Sequence, residues 1–425
     1  MTPASTPLPD VDRVQHRTLL TLMGSQTLGG IGVASGIAVA AIVAAEVSGN
    51  EALSGLATTT QVLGGALATI PVAAIMATRG RRVGLVTAYL VGAVGAVTAV
   101  VATTTGQFWL LLVGTTLFGA ATTANSQARY AATDLAPPER RGRQLSWVVW
   151  ATTIGSVLGP NMIGPGKRLA DVLGVPPLAG AWVLSLGGFA LAALVLQVLL
   201  RPDPLHVARQ VHTTDPAERA APATARRGNI LEGLRLIRAT PAALWGTTAV
   251  TVGHVVMVSI MVMTPLHMRH GHAEIELIGL VISLHILGMY GLSPVAGQLT
   301  DRLGAPRVVL LAVALLLLAC LLAGISSDGH SVTLTAALIL LGLGWSGTMV
   351  AGSGTVAGAV PVAERAAVQG AADLVMGLSA AAGGALAGLV MDVWGYDVLA
   401  TIAAAAALAL GAVTLQRLRA LPNDA

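Results

Sequence analysis

The chain has 425 residues, of which 10% are charged and 54% apolar, with 50 glycines and a formal charge of +4. A soluble domain carries roughly 25% charged residues, and one soluble core stops growing near 250–300 residues. A single soluble globule is therefore excluded. The lone cysteine, Cys320, also excludes a disulfide framework and a cysteine-based metal centre.

In chain order, residues 1–17 are polar and proline-containing. The apolar run 18–45 then exceeds a signal-peptide core of about 7–15 residues and ends in no small-residue cleavage site, so it is expected to remain as a membrane helix. A helix crosses the hydrocarbon with about 20 apolar residues. On that basis spans are expected near 18–45, 52–77, 83–104, 108–133, 144–164, 179–200, 242–267, 277–299, 308–325, 331–358, 366–391 and 398–416. The Arg-rich segment 201–241, with several prolines, reads as a solvated loop joining two halves. The expected organisation is a tail over 1–17, a bundle over 18–200, a linker over 201–241, a second bundle over 242–416 and a tail over 417–425.

Lysine and arginine in the loops set the orientation. With the N-terminus inside, 21 of the 24 basic residues fall on the inner side, leaving Lys167, Arg168 and Arg269 outside. Both termini are thus expected in the cytoplasm of a multi-pass protein of the bacterial plasma (inner) membrane. Its charge pattern gives no sign of nucleic-acid binding. The lipid bilayer and a transported metal ion or small molecule are its expected partners, and it is expected to be a monomer.

The two halves repeat. PERRGRQ (138–144) follows span four and AERAAVQG (363–370) follows span ten, so Glu139, Arg140 and Gln144 recur as Glu364, Arg365 and Gln369. Gly80 likewise recurs as Gly304. A constant offset between two sets of spans indicates duplicated halves, as in transporters built from structural repeats. Over nearly its whole length the chain resembles the major facilitator superfamily. The stretch GQLTDRLGAPR (297–307) carries that family's cytoplasmic loop motif in Gly297, Asp301, Arg302, Gly304 and Arg307. The resemblance implies twelve transmembrane helices in two pseudo-symmetric six-helix bundles, an all-α membrane fold. It also implies that this loop latches helices together in the outward-facing state. The first-half copy departs from the motif, with Ala77 at the aspartate position and Ala73 at the leading glycine. Span five carries GSVLGPNMIG (155–164), similar to a family motif frequent in antiporters; Gly155, Gly159 and Pro160 would bend the helix and allow close approach, and small-residue packing is the alternative.

Chemistry concentrates in residues 254–289, which hold five of the nine histidines and five of the twelve methionines. Met257 and Met261 stand one turn apart on span seven, and His285 and Met289 do the same on span eight. In an antiparallel hairpin centred near residue 273, Met257 lies level with Met289, and Met261 with His285. At 1.5 Å per residue the two levels sit roughly 17 and 10 Å below the outer surface. If the faces meet, one imidazole and three thioethers converge, a soft donor set that favours Cu(I) over hard cations. His254 is a further ligand or a proton site, and His267, Met268, His270 and His272 form an expected capture patch at the entrance. For any one of these residues the alternative is packing, since methionine is a common gap-filler.

Met-x-x-x-Met on span seven with His-x-x-x-Met on span eight resembles the CcoA-like copper importers that supply cytochrome oxidase assembly. The resemblance implies copper as the transported substrate. Related branches are associated with riboflavin and with drugs, so a proton-coupled carrier of an organic molecule is the competing expectation. Ionisable groups inside lipid are expensive and usually functional. Arg129 and Asp373 are such groups, either interfacial hydrogen-bonders or part of gating and coupling. No G-x-x-x-x-G-K-[ST] loop occurs, so ATP hydrolysis is not the expected driver, and neither an enzyme nor a resident cofactor is expected.

Overall fold

The computed structural model describes residues 10–50, 53–212, 229–326 and 331–420. The expected tails are covered only in part, and the centre of the linker, 213–228, lies outside the described residues. Among the described residues every regular element is a helix. The first half contains α1 (Val11–Ser48), α2 (Ser54–Arg79), α3 (Arg81–Thr105), α4 (Phe108–Ala131), α5 (Arg141–Asn161), α6 (Ile163–Leu173) and α7 (Ala179–Leu199). In the linker, α8 (Pro204–His212) and α9 (Ile230–Ala239) replace part of the expected loop. The second half contains α10 (Pro241–His270), α11 (Ile275–Tyr290), α12 (Ser293–Leu303), α13 (Ala305–Gly324), α14 (Val332–Gly358), α15 (Arg365–Trp394) and α16 (Tyr396–Ala420).

Among the described residues, eleven helices are long and apolar enough to cross a membrane, with α11 and α12 together supplying one. The expected fifth span, α5, falls outside that set. Arg141, Arg143 and Gln144 at one end and Asn161 at the other shorten its apolar stretch. It nevertheless packs along α1, where Gly155 and Gly159 lie against the backbone of Gly30 and Ala34. Outward-facing aliphatic and aromatic side chains such as Trp109 (77% exposed), Val393 and Leu389 (63%) provide the apolar surface that lipid requires.

One apolar core runs through α1–α7, around Phe118, Trp182 and Phe189, and another through α10–α16, around Leu316, Leu341 and Trp345. The turn glycines Gly80 and Gly304 occupy equivalent places before α3 and α13. Both have positive φ, 90° and 83°, which a side chain would strain. The linker completes the first of these turns. Asp203 accepts from the Arg82 amide at 2.7 Å and from the Leu205 amide at 3.0 Å, so a linker carboxylate lies beside the turn whose own aspartate position is Ala77.

Candidate cargo site and the seam between the halves

The hairpin of α10 and α11 does not close on itself as the depth arithmetic anticipates. The two helices touch only slightly, and each lies instead along α14. The small residues of α14 explain this. Gly342 abuts the His285 carbonyl and the Met289 amide nitrogen of α11, and Gly352 abuts Gly246 and Val250 of α10. The two helices that carry the predicted faces are therefore linked through a third helix rather than directly.

His285 is fully buried. Its Nδ1 lies 2.7 Å from the Leu338 carbonyl of α14. A carbonyl can only accept, so Nδ1 carries the proton and Nε2 keeps a lone pair. That Nε2 is buried without a protein partner. A histidine fixed through one nitrogen, with the other left as a free donor, is the arrangement in which imidazole binds metals. Met257 and Met289 are buried in the same apolar cluster, and Met261 is half-buried against it. Met349 of α14 and Met376 of α15 also belong to this cluster. They lie far from the hairpin in sequence, so reading the hairpin alone passes over them.

His254 is placed differently from its expected role as a ligand. The Trp345 indole N–H donates to its Nδ1 at 2.8 Å. The other nitrogen then carries the proton, and the neutral ring presents no free lone pair. The Trp345 ring also meets Tyr290 edge-on at 5.3 Å. The entrance patch is smaller than expected. Met268 is fully buried, and His267 is buried with its ring stacked on Tyr396 at 4.1 Å and its Nε2 3.2 Å from Ser326 Oγ. Only His270 and His272 of that set are exposed.

The halves are joined by hydrogen bonds at the arginine-rich end. Asp301 of α12 accepts from the Gly142 amide at 2.8 Å and the Arg143 amide at 2.9 Å, at the start of α5. A carboxylate there satisfies orphan helix amides and faces the positive end of the dipole. Arg302 is exposed, and Arg307 donates to Leu303 at 2.9 Å within its own half, so neither repeats this crossing contact. On the opposite side of the seam Arg81 pairs with Asp134 at 2.8 Å and also donates to Gln369 of α15. Asp301→Ala is expected to weaken the closed seam by about 1 kcal/mol, the usual worth of such a cap. Faster thiol labelling of a cysteine placed at the start of α5 is the measurement.

Deeper in the seam, Arg129 of α4 and Asp373 of α15 form an ion pair, both almost fully buried. Arg129 also donates to Ser353 Oγ at 3.1 Å and to the Ser126 carbonyl at 2.8 Å, while Gln127 donates to Asp373 at 2.8 Å. These are not side chains reaching for the membrane surface. They form a satisfied polar cluster between the halves, and Ser353 Oγ links it to the Met349 sulfur at 3.6 Å.

Two helical halves, a polar seam between them and eleven helices of membrane-spanning length among the described residues are the architecture of a polytopic membrane protein. The model of the Major Facilitator Superfamily matches residues 18–277 and 259–423, and the chain belongs to that superfamily. It is 36% identical to YdeG, an uncharacterized MFS-type transporter of Bacillus subtilis (strain 168), over 91% of this chain and 88% of that one. It is 28% identical to the riboflavin transporter RfnT of Brucella anthropi, over 90% of this chain and 91% of that one. Among solved structures, the proton:xylose symporter XylE bound to 6-bromo-6-deoxy-D-glucose superposes with a TM-score of 0.74 at 12% identity, covering 95% and 96% of the two chains. That likeness concerns the fold.

Proposed function

We propose that this secondary transporter carries Cu(I) into the cell by alternating access, with His285 Nε2 as the anchoring ligand. The carrying observation is the buried lone pair of His285, its ring fixed by the Leu338 carbonyl and left without a protein partner. Met257, Met261 and Met289 supply the thioethers that make the donor set soft. With no thiolate among them, binding is of the moderate strength that lets a carrier release its cargo. His270 and His272 meet the ion at the mouth. On this reading twelve helices cross a bacterial inner membrane as a monomer, the arginine-rich end faces the cytoplasm, and the closed seam belongs to the outward-facing state.

Copper accumulation by cells expressing the wild type, His285→Ala or Met257→Ala is the test. Both variants should fall to the background of cells lacking the transporter while remaining in the membrane at wild-type levels. Undiminished uptake by both would remove copper as the cargo.

A second reading, an organic cargo such as riboflavin, is favoured by the similarity to RfnT. Its cavity floor would be Tyr290, Trp345 and His254, which offer aromatic faces and one hydrogen-bonded imidazole. Under this reading riboflavin uptake survives Met257→Ala, and the purified protein does not bind Cu(I).

A further inference from the structure

Alternating access requires the closed seam to open, and the Arg129–Asp373 pair stands in the way. Asp373 lies eight residues into α15 from Arg365, about 12 Å from that helix end at 1.5 Å per residue. When α4 and α15 part, two charges that now satisfy each other are left in a low-dielectric interior. Losing one partner of a buried pair is far more damaging than neutralising both. Arg129 cannot release its proton in a protein. Asp373 can gain one.

We propose that Asp373 is a proton-binding site of the transport cycle. It is ionised while paired with Arg129 across the closed seam, and it takes one proton from water on a carboxylate oxygen as the halves separate. The proton leaves when the pair forms again. Arg129 then keeps the Ser126 carbonyl and the Tyr130 hydroxyl of its own helix as partners. The inference rests on the transporter reading, and it is independent of which cargo is carried.

The groups facing Asp373 are few. Arg129 and Tyr130 come from α4, and Arg81 of α3 acts on it from farther away. From α10, His254 lies beyond Arg129. The neighbouring α14 contains no ionisable residue, α2 contributes only Arg79 at its exposed end, and Glu232, Arg235 and Arg238 of α9 are exposed. On α15 itself, buried Arg365 stands two turns away. Asp373 is thus the carboxylate at this depth of the seam whose charge depends on the seam being shut.

The experiment measures the distance between spin labels in the full chain in lipid nanodiscs, on Arg79→Cys and Ala363→Cys. These exposed positions lie on opposite sides of the arginine-rich end, and the native Cys320 is buried. The wild-type background should be closed near pH 8 and open on acidification, the open-to-closed ratio rising up to about tenfold per pH unit for one proton. Asp373→Asn should be open at both pH values, and Asp373→Glu should keep the pH response with a displaced midpoint. A wild type indifferent to pH would overturn the proposal. So would an Asp373→Asn protein that still follows pH or stays closed throughout. Since no cargo is present, failure of the copper reading leaves this result unaffected, and the converse also holds.

Discussion

Arg129→Ala is expected to destabilise the protein by about 3–5 kcal/mol, the usual penalty for leaving one member of a buried pair uncompensated. The Asp373 carboxylate would retain Gln127 as a hydrogen-bond donor but no opposite charge. Removing the arginine also strips Ser353 of its guanidinium partner and opens a cavity beside Tyr130, whose ring lies 4.6 Å from the guanidinium carbon. Thermal unfolding in detergent should show a large loss for Arg129→Ala. The double replacement Arg129→Met with Asp373→Leu should recover most of it, because both charges leave together and the volume is refilled. If the double variant unfolds as early as the single one, charge compensation is not what the pair provides.

Gly342→Val is expected to displace α11 from α14 and to abolish transport. An added Cβ at Gly342 would come within 2.5 Å of the His285 carbonyl oxygen and 2.8 Å of the Met289 nitrogen. These are backbone atoms, so no side chain can swing aside. Overpacking of this kind typically costs about 1–3 kcal/mol. Here it falls on the contact that brings Leu338 within hydrogen-bond distance of His285. Gly354→Ala, on the same helix with open space around its Cβ position, is the control and should transport normally. Equal loss in both variants would trace the effect to α14 in general rather than to its contact with α11.

Much of this was legible in the sequence because it depends on local composition. Apolar runs mark the spans, and the offset between Gly80 and Gly304 is matched by two turns that share a positive φ. Asp301 could be singled out because its motif is contiguous. What stayed hidden depends on packing between distant segments. Arg129 finds its partner 244 residues away, and no periodicity relates α4 to α15. Asp203 reaches the first-half turn from a linker whose composition reads as solvent-exposed. Hairpin geometry gives the depths of Met257, Met261, His285 and Met289, but a hairpin pairs two helices, and only the glycines of α14 decide that each packs on a third. His267 and Met268 looked like surface ligands because they end a span, yet α10 continues past them to His270.

The position of α14 also bears on how the second half moves. Since α10 and α11 each rest on it and hardly on each other, the side chains they carry keep their mutual spacing only through this shared support. A tilt of either helix against α14 would change that spacing without unfolding either one.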